Sequence, residues 1–403
     1  MEGPFDLAPG ELVVVDVPPG PTWVRLVHQL WNDRVSFMPL DQRLSARERR
    51  VLVDLARPTA VLDATGSLTV FAGAEPVDDE VALVMPTSGA GGAPRLVELS
   101  RQAVATAVTT SRDALAAAGY DVSAPLVCCL TPAHVGGMLV LLRGELGDLR
   151  VVAHERFDPE RLTREAPPGA GVSLVPTMLR RLVRAGADLG RLGTLLVGGA
   201  ALDPDLRADA ESRGAKLVST YGLTESCGGV IYDGAPLPGT QLRIDPGSTG
   251  GGPARIELRG PTLMQGYRGD PAATGAAFDV RGWLRTGDAG TIDDDGRLVV
   301  HGRLDDAIRT GGEMVWPDEV ERALVDHPKV GEVAVAARPH QGWGQQVVAF
   351  VVPRRIDEPP TLEELREHAS RTIARHKGPR DLVLLPVLPR TPSGKIRRVA
   401  LPR

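Results

Sequence analysis

An aspartate and an arginine stand at the two ends of an acidic hairpin pattern in the last third of the sequence. Asp288 and Arg303 each follow a glycine, and residues 293–296 read Asp-Asp-Asp-Gly. This run predicts a tight turn between two strands, 289–292 and 297–301. A carboxylate on a tight turn can accept hydrogen bonds from two neighbouring sugar hydroxyls, although a plain solvent-exposed hairpin would have the same pattern.

A glycine-rich loop follows the apolar strand pattern at residues 81–85. Hydroxyls and backbone N–H groups that leave a strand can wrap a polyphosphate, because successive N–H groups form an anion-binding nest. The loop matches neither the Walker pattern nor GxGxxG, and an ordinary turn is also often rich in glycine. The candidate phosphate ligands in the loop are Thr87, Ser88, Gly89, Gly92 and Arg95.

A polar stretch, Ser-Thr-Tyr-Gly-Leu-Thr-Glu at 219–225, follows another apolar strand pattern. A tyrosine face can stack on a purine, a threonine hydroxyl can reach a phosphate, and a carboxylate can bind Mg²⁺. A strand that ends in a polar turn is the alternative for any isolated Tyr-Gly pair. The candidate residues are Thr220, Tyr221, Gly222, Thr224 and, as the metal ligand, Glu225.

Two further residues stand out by type. His134 lies at a predicted strand-to-helix junction before a Gly-Gly pair, although a lone histidine is more often structural than catalytic. Lys395, one of four lysines, lies in a basic C-terminal run, which usually means a solvated tail.

The order of the predicted elements indicates how these residues are positioned. Continuously apolar runs, typical of strands buried on both faces, alternate with helical patterns from residue 80 onward. This alternation predicts an α/β fold with mostly parallel sheets, followed by a smaller β-subdomain and an α+β domain of about a hundred residues. The strands are expected at 81–85, 125–130, 171–175, 194–197 and 216–219, and the helices at 101–118, 135–143, 177–184 and 204–213.

Composition excludes several classes of function. The 403 residues are 42% hydrophobic and 24% charged, which is typical of a globular protein of two domains. A formal charge of −5 gives no reason to expect nucleic acid as a partner, and no apolar run is long enough to predict a membrane span. Cys128, Cys129 and Cys227 form neither a disulfide framework nor a metal pattern, so we expect a reducing cytoplasm.

In this order and spacing, the motifs resemble the adenylate-forming superfamily of acyl-CoA synthetases, adenylation domains and luciferases. The resemblance covers roughly residues 81–395 and implies ATP, Mg²⁺ and CoA as cofactor and co-substrates. It implies that Asp288 and Arg303 hold the ribose of ATP, and that Pro-x-Thr-x-Ser-Gly-Lys at 389–395 carries the catalytic lysine, Lys395. When a carboxylate attacks an α-phosphate, two anions must approach, and the lysine cation would stabilise that transition state. His134 and Arg303 are the other implied catalytic residues. The loop at 86–95 departs from the family pattern, because Ala90 and Gly91 replace two hydroxyl residues and Arg95 replaces a lysine. The same pattern would also fit a non-catalytic nucleotide- or acyl-binding relative.

The resemblance also implies two domains and a rotation between two half-reactions. We expect an N-terminal domain at 1–304 with the ATP and acyl sites, and a mobile C-terminal domain at 305–403 with Lys395. Asp305 would be the hinge, since one site cannot be closed by the lysine and open to a thiol together. Further implied positions are Gly199 and Ala200 along the adenine, Gly311 and Gly312 at the CoA channel, and His134, Gly199 and Ser226 around the acid.

Within the superfamily, the run from His134 to Met138 and the run from Tyr221 to Gly234 look like the branch of CoA ligases that act on 2-succinylbenzoate in menaquinone biosynthesis. His134 is then expected to line and gate the acid pocket. A ligase for another aryl or short acyl acid would have the same ATP site and a different pocket. Many members of the superfamily are dimers, so a homodimer is possible.

Overall fold

The structure is a computed structural model that describes residues 7–8, 10–88, 93–245, 253–390 and 396–402. The chain forms two compact units. The first comprises Met1–Leu242 and Glu257–Arg285, and the second comprises Arg243–Ile256 and Thr286–Arg403. The predicted domain boundary between residues 304 and 305 refers to a hinge about which the C-terminal domain would rotate, and it stays a prediction.

Helices of seven to seventeen residues occur throughout the described part of the chain. They are α1 Thr22–Asn32, α2 Ala46–Ala56, α3 Arg101–Ala117, α4 Val135–Leu146, α5 Pro159–Glu165, α6 Pro176–Arg184, α7 Pro204–Ser212, α8 Pro271–Ala277, α9 Pro317–Val325 and α10 Leu362–Ala369. Their starts follow local capping chemistry. At α2, for example, the Ser45 hydroxyl accepts from the Glu48 N–H while the Glu48 side chain accepts from the Ser45 N–H.

The strands are β1 Leu12–Asp16, β2 Ser36–Pro39, β3 Ala60–Asp63, β4 Leu68–Val70, β5 Val81–Ser88, β6 Pro94–Ser100, β7 Leu126–Cys128, β8 Val151–Ala153, β9 Gly171–Leu174, β10 Thr194–Val197, β11 Lys216–Leu223, β12 Gly228–Tyr232, β13 Ala235–Pro236, β14 Gln241–Ile244, β15 Ala254–Arg259, β16 Gly266–Tyr267, β17 Leu284–Ile292, β18 Leu298–Arg303, β19 Ile308–Thr310, β20 Glu313–Val315, β21 Val330–His340, β22 Gly344–Pro353 and β23 Asp381–Leu384.

Two seven-stranded sheets organise the first unit. One has the order β16-β6-β5-β2-β1-β3-β4 and the other the order β13-β12-β11-β10-β9-β7-β8. The central strands of both sheets are parallel, and antiparallel strands are added at their ends. Because the carboxyl ends of parallel strands meet at one edge of a sheet, the loops after β2 and β5 share an edge, as do those after β7, β10 and β11.

A single hydrophobic core joins both sheets to the helices α1, α3 and α4. Helix α4 lies at its centre, since seven consecutive residues, from Gly137 to Arg143, are buried. A helix that is buried on all sides is normally apolar all round. Arg143, at 4% exposure, is the exception in α4.

The second unit contains a five-stranded sheet in which β20, β19, β22 and β21 follow one another and β23 pairs with β22. Apolar side chains of α9 and α10 pack on this sheet and form a separate core. A four-stranded sheet has the order β14-β15-β17-β18, and its last two strands form the acidic hairpin.

The five apolar strands and four helices expected from the sequence are all present. The strand at 194–197 has the predicted bounds, and the bounds of the others shift by one to four residues. The hairpin prediction is confirmed, because β17 and β18 flank a turn at 293–296 closed by the Gly296 N–H on the Asp293 carbonyl. The short helices α5 and α8 were not predicted. In the part of the chain that the structure describes, no helix combines the length and the apolar character that crossing a bilayer needs.

Candidate active site

The glycine turn after β10 and the polar stretch at the end of β11 lie side by side. The two strands are parallel, with Val197 opposite Ser219. A Cβ atom built on Gly198 would come within 2.2 Å of the Thr220 hydroxyl, so only glycine permits this approach. Gly199 and Ala200 follow in an exposed turn, with Gly199 at a φ of 80°. The sheet therefore brings these candidate nucleotide residues to one edge.

Tyr221 and Gly222 lie at an irregularity where β11 slips against β12. The chain then enters a single 3₁₀ turn, Thr224–Ser226, which redirects the Thr224 and Glu225 side chains away from the strand ladder. Ser226, predicted to face the acid, is fully buried, and its hydroxyl bonds the Leu223 N–H and the Gly228 carbonyl. That hydroxyl closes the turn, and its predicted contact with an acid stays a prediction.

The Glu225 carboxylate is held by Tyr267, a residue that the sequence did not single out. The Tyr267 hydroxyl donates to Glu225 Oε1 at 2.9 Å. Burial and the neighbouring Glu225 charge raise the pKa of Tyr267, so the phenol stays protonated as a donor. Among the described residues, no three His, Cys, Asp or Glu side chains form a protein-only metal site. One carboxylate combined with phosphate oxygens is a donor set that suits Mg²⁺.

Arg95 of the glycine-rich loop lies over the same tyrosine ring, with its guanidinium carbon 5.1 Å from the ring centroid. In the β5–β6 ladder, Arg95 stands opposite Thr87, and both lie at the base of the loop. Ser88 ends β5. The candidates Gly89 and Gly92, together with Ala90 and Gly91, lie outside the described residues.

His134 is the N-cap of α4 and contacts two residues from the N-terminal region. Arg43 Nη2 donates to His134 Nε2 at 3.1 Å, and Asp41 Oδ2 lies 3.9 Å from the same nitrogen. Burial acts to raise the pKa of Asp41, but its hydrogen bonds with Arg43 outweigh burial and lower it. Since Arg43 can only donate, Nε2 acts as the acceptor nitrogen. This geometry supports a positioning role for His134.

Arg143 is a buried cation whose environment is almost entirely neutral. Its Nε and Nη2 donate to the Ser111 hydroxyl at 3.1 and 2.7 Å, and the Tyr232 hydroxyl lies 2.5 Å from the same oxygen. Among the described residues, no carboxylate forms an ion pair with it. Burying an unpaired charge is costly, so a guanidinium with spare donors here suggests that an anion binds beside it.

In the second unit, the hairpin places Asp288 directly opposite Arg303. Arg303 Nη1 donates to Asp288 Oδ1 at 3.2 Å, and the aspartate is mostly buried while the arginine is half-exposed. The guanidinium crosses over Gly287, where a Cβ atom would come within 2.3 Å of it. The two predicted ribose ligands therefore form one preorganised pair.

The remaining predicted positions have mixed outcomes. Asp305 lies in a 3₁₀ turn after β18. Gly311 and Gly312 both have positive φ, and a Cβ atom on Gly311 would lie 2.5 Å from the Trp343 ring, which is a structural reason for that glycine. Lys395 lies outside the described residues.

Arg398, three residues after Lys395 in sequence, is the centre of a carboxylate cluster. Its Nη2 donates to Asp318 at 2.6 Å and to Glu321 at 2.8 Å, its Nη1 donates to Asp306 at 3.4 Å, and its Nε donates to the Val335 carbonyl. Three carboxylates share one guanidinium. Burial raises the pKa of Glu321 to about 7, with Arg398 opposing the shift, and burial also raises the pKa of Asp306.

Comparison with known proteins identifies the family. The AMP-binding enzyme model matches residues 69–268, and the model of the AMP-binding enzyme C-terminal domain matches residues 319–395. A probable 2-succinylbenzoate–CoA ligase of Mycobacterium tuberculosis is 36% identical over 381 residues, which cover 91% of this chain and 94% of that protein. The chain belongs to the AMP-binding enzyme family.

Other AMP-binding enzymes support the assignment. An indoleacetate–CoA ligase of Aromatoleum aromaticum is 32% identical and covers 90% of this chain and 82% of its own length. The o-succinylbenzoate CoA synthetase of Bacillus subtilis, solved with its acyl-adenylate intermediate, superposes with a TM-score of 0.86 at 25% identity. That match covers 98% of this chain and 88% of the other. The predicted family and α/β fold class are therefore confirmed.

Sequence reasoning missed Tyr267, Arg143 and the pair Asp41 and Arg43. An arginine that follows five apolar residues in a predicted helix was a usable signal for Arg143. The pair at 41 and 43 follows a buried strand, β2, as active-site residues of parallel sheets often do. Nothing local marks Tyr267, because its partner is 42 residues away.

Proposed function

We propose that this chain is an AMP-forming acid–thiol ligase that converts 2-succinylbenzoate, ATP and CoA to 2-succinylbenzoyl-CoA, AMP and pyrophosphate, in menaquinone biosynthesis. The Mycobacterium tuberculosis relative, of which 94% is covered by the match, is named a probable 2-succinylbenzoate–CoA ligase. The Bacillus subtilis neighbour was solved with the acyl-adenylate of this acid.

The observation that carries the choice of acid is the nearly unpartnered Arg143. 2-Succinylbenzoate has two carboxylates, and when one is activated the other remains an anion. Arg143 belongs to α4, the helix whose N-cap is His134. This helix packs closely on β12, since a Cβ atom on Gly228 would clash with Leu139. A carboxylate bound by Arg143 would turn an unfavourable buried charge into a charge-assisted, bidentate pair.

In the first half-reaction, a substrate carboxylate oxygen bonds to the α-phosphorus of ATP and pyrophosphate leaves. Glu225 would hold Mg²⁺, which offsets phosphate charge. Tyr221 and the turn at Gly199 and Ala200 would hold the adenine, and Asp288 with Arg303 would hold the ribose. Thr87, Ser88 and Arg95 would hold the phosphates, assisted by Thr220 and Thr224. Lys395 would bridge the attacking oxygen and the α-phosphate, where negative charge builds up.

In the second half-reaction, the CoA sulfur attacks the acyl carbonyl and AMP leaves. We propose that rotation about Asp305 of a C-terminal domain at 305–403 removes Lys395 and opens a thiol path along Gly311 and Gly312. Exchanging closed states for two successive reactions is an established use of domain rotation.

A ligase for another aryl acid is the second candidate, and the indoleacetate–CoA ligase relative favours it. Indoleacetate has a single carboxylate, so no anion would remain for Arg143 after activation. The substitution of Arg95 for a lysine keeps open a third candidate, a non-catalytic nucleotide-binding relative.

The deciding experiment is mass spectrometry of acyl-CoA products. Purified protein receives Mg·ATP, CoA and a panel of acids that includes 2-succinylbenzoate, benzoate, indoleacetate and medium-chain fatty acids. We expect 2-succinylbenzoyl-CoA as the dominant product. A different acyl-CoA product would support the proposed reaction and contradict 2-succinylbenzoate as the substrate. If ATP binds but no acyl-CoA forms, the protein is a non-catalytic relative.

A further inference from the structure

Tyr267 lies in a segment that is fastened on both sides. The strand β16 pairs with β6, with Tyr267 opposite Val97. The Met264 N–H donates to the Glu225 carbonyl at 2.9 Å, so the same segment is tied to the turn that carries the metal-ligand candidate. The Tyr267 N–H donates to the Thr274 hydroxyl at 2.8 Å, which fixes the backbone below the ring. The position of the ring is therefore set by hydrogen bonds of its own main chain.

The ring contacts two groups of opposite charge. Its hydroxyl donates to one oxygen of Glu225 at 2.9 Å and leaves the second oxygen for another partner. Its face lies against Arg95, and the Arg95 Nε is 3.9 Å from Asp270 Oδ2. A planar guanidinium stacks on an aromatic face better than an ammonium does, so the ring suits an arginine at this position of the loop.

We infer that Tyr267 is a positioning residue that orients the Glu225 carboxylate for the divalent metal of the nucleotide complex and holds Arg95 beside the phosphates. The inference rests on the proposed function, since it assumes that Mg·ATP binds here. Carboxylate ligands are commonly oriented by a hydrogen bond from a neighbouring group, and removing such a group typically lowers metal affinity about 10–100-fold.

Tyr267→Phe removes the hydroxyl and keeps the ring, whereas Tyr267→Leu removes both. Tyr120→Phe is the matched control, because the Tyr120 hydroxyl donates to a backbone carbonyl, that of Ala124, at 2.6 Å. The readout is Mn²⁺ binding to the full chain with α,β-methylene-ATP, followed by electron paramagnetic resonance. Nucleotide affinity without metal is measured in parallel by calorimetry.

For Tyr267→Phe we expect Mn²⁺ to bind about 10-fold or more weakly, with metal-free nucleotide affinity and Tm close to those of Tyr120→Phe. For Tyr267→Leu we expect metal-free nucleotide affinity to fall as well, because Arg95 loses its platform. In a Glu225→Gln background, Tyr267→Phe should cause no further loss of Mn²⁺ affinity. If Tyr267→Phe proves unstable, Glu225→Gln alone still has to weaken Mn²⁺ binding, and unchanged Mn²⁺ affinity in that variant would overturn the inference.

Unchanged Mn²⁺ affinity in Tyr267→Phe would overturn the inference, as would an equal loss in the Glu225→Gln background. In Tyr267→Phe, an equal loss of metal affinity and metal-free nucleotide affinity together with a lower Tm would show a merely structural role. If the unmodified chain binds no Mn²⁺–nucleotide complex at all, the proposed function fails, and that result is distinct from an effect confined to the variant.

Discussion

Arg143 in the first unit and Arg398 in the second are both largely buried arginines, but they are satisfied in opposite ways. Arg398 donates to three carboxylates and a backbone carbonyl. Within the described residues, all the hydrogen bonds of the Arg143 side chain go to the Ser111 hydroxyl. The region around Arg398 has more negative charge than its cation needs, whereas the Arg143 guanidinium has donors to spare.

This difference in charge pairing indicates which of the two arginines is available to bind a ligand. A guanidinium whose donors are already occupied by fixed carboxylates fastens parts of its own unit together. A guanidinium that remains nearly unpaired costs folding free energy unless a ligand supplies the missing anion. Burial alone would not have revealed this difference, since Arg143 is buried and the Arg398 side chain is only 21% exposed.

Replacing Lys395 should have the largest effect. It tests whether this lysine acts in catalysis, in contrast to Arg398 three residues later, which is held by carboxylates. We expect Lys395→Ala to lower the rate of acyl-adenylate formation by about 10²–10³-fold, as loss of one transition-state donor typically does. Pyrophosphate release measures this step. Thioester formation from supplied acyl-adenylate and the Tm should be largely retained. If adenylation survived, the assigned role would be wrong.

Arg398→Met should act on stability. Removing the cation leaves Asp306, Asp318 and Glu321 without their shared partner, and losing one side of a buried ion pair costs about 3–5 kcal/mol. Hydrogen exchange of the α9 peptides measures the loss of protection. The variant should slow the enzyme to the same degree with every acid. Unchanged hydrogen exchange in α9 would show that Arg398 does not stabilise the second unit.

Arg143→Met should change the choice of acid and leave the fold intact. A hydrogen bond to a charged group is worth about 1.5–3 kcal/mol, so we expect kcat/KM for 2-succinylbenzoate to fall about 10–150-fold. The control acid, 4-oxo-4-phenylbutanoate, lacks the ring carboxylate and should be used as well as before. The Tm should stay level or rise, since an unpaired buried charge is removed. Equal losses with both acids would contradict the proposed carboxylate contact.

Glu321→Gln should have the smallest effect, one of pH dependence. The pKa of Glu321 is raised from 4.5 to about 7 by burial, so the folded chain holds this proton more tightly than the unfolded chain. Its contribution to stability is therefore complete below about pH 4.5 and is lost as pH rises through about 7. Protection of α9 in the unmodified chain should fall between pH 5 and 8 more steeply than in the variant. Parallel profiles would show that Glu321 does not titrate in this range.

Much of the fold could be predicted because its signals are local. Continuously apolar runs marked the buried strands, and the Asp-Asp-Asp-Gly turn marked a hairpin between 289–292 and 297–301. The structure extends both strands, so Asp288 and Arg303 face each other. The short helices α5 and α8 escaped prediction, since seven residues give too few turns for a clear apolar period. The one-to-four-residue shifts at element ends arise where hydrogen bonding outside the local pattern extends a strand, as in β11.

The sequence by itself determined the α/β order of elements, the family motifs and the positions of the candidate nucleotide residues, because spacing along the chain carries them. Only the tertiary structure decided which side chains meet across long separations. Arg43 reaches His134 across 91 residues, and Ser111 reaches Tyr232 across 121. The physical reason is that burial and charge pairing depend on packing between distant segments, so the residues around Arg143 or Arg398 in the sequence do not show which groups surround each guanidinium.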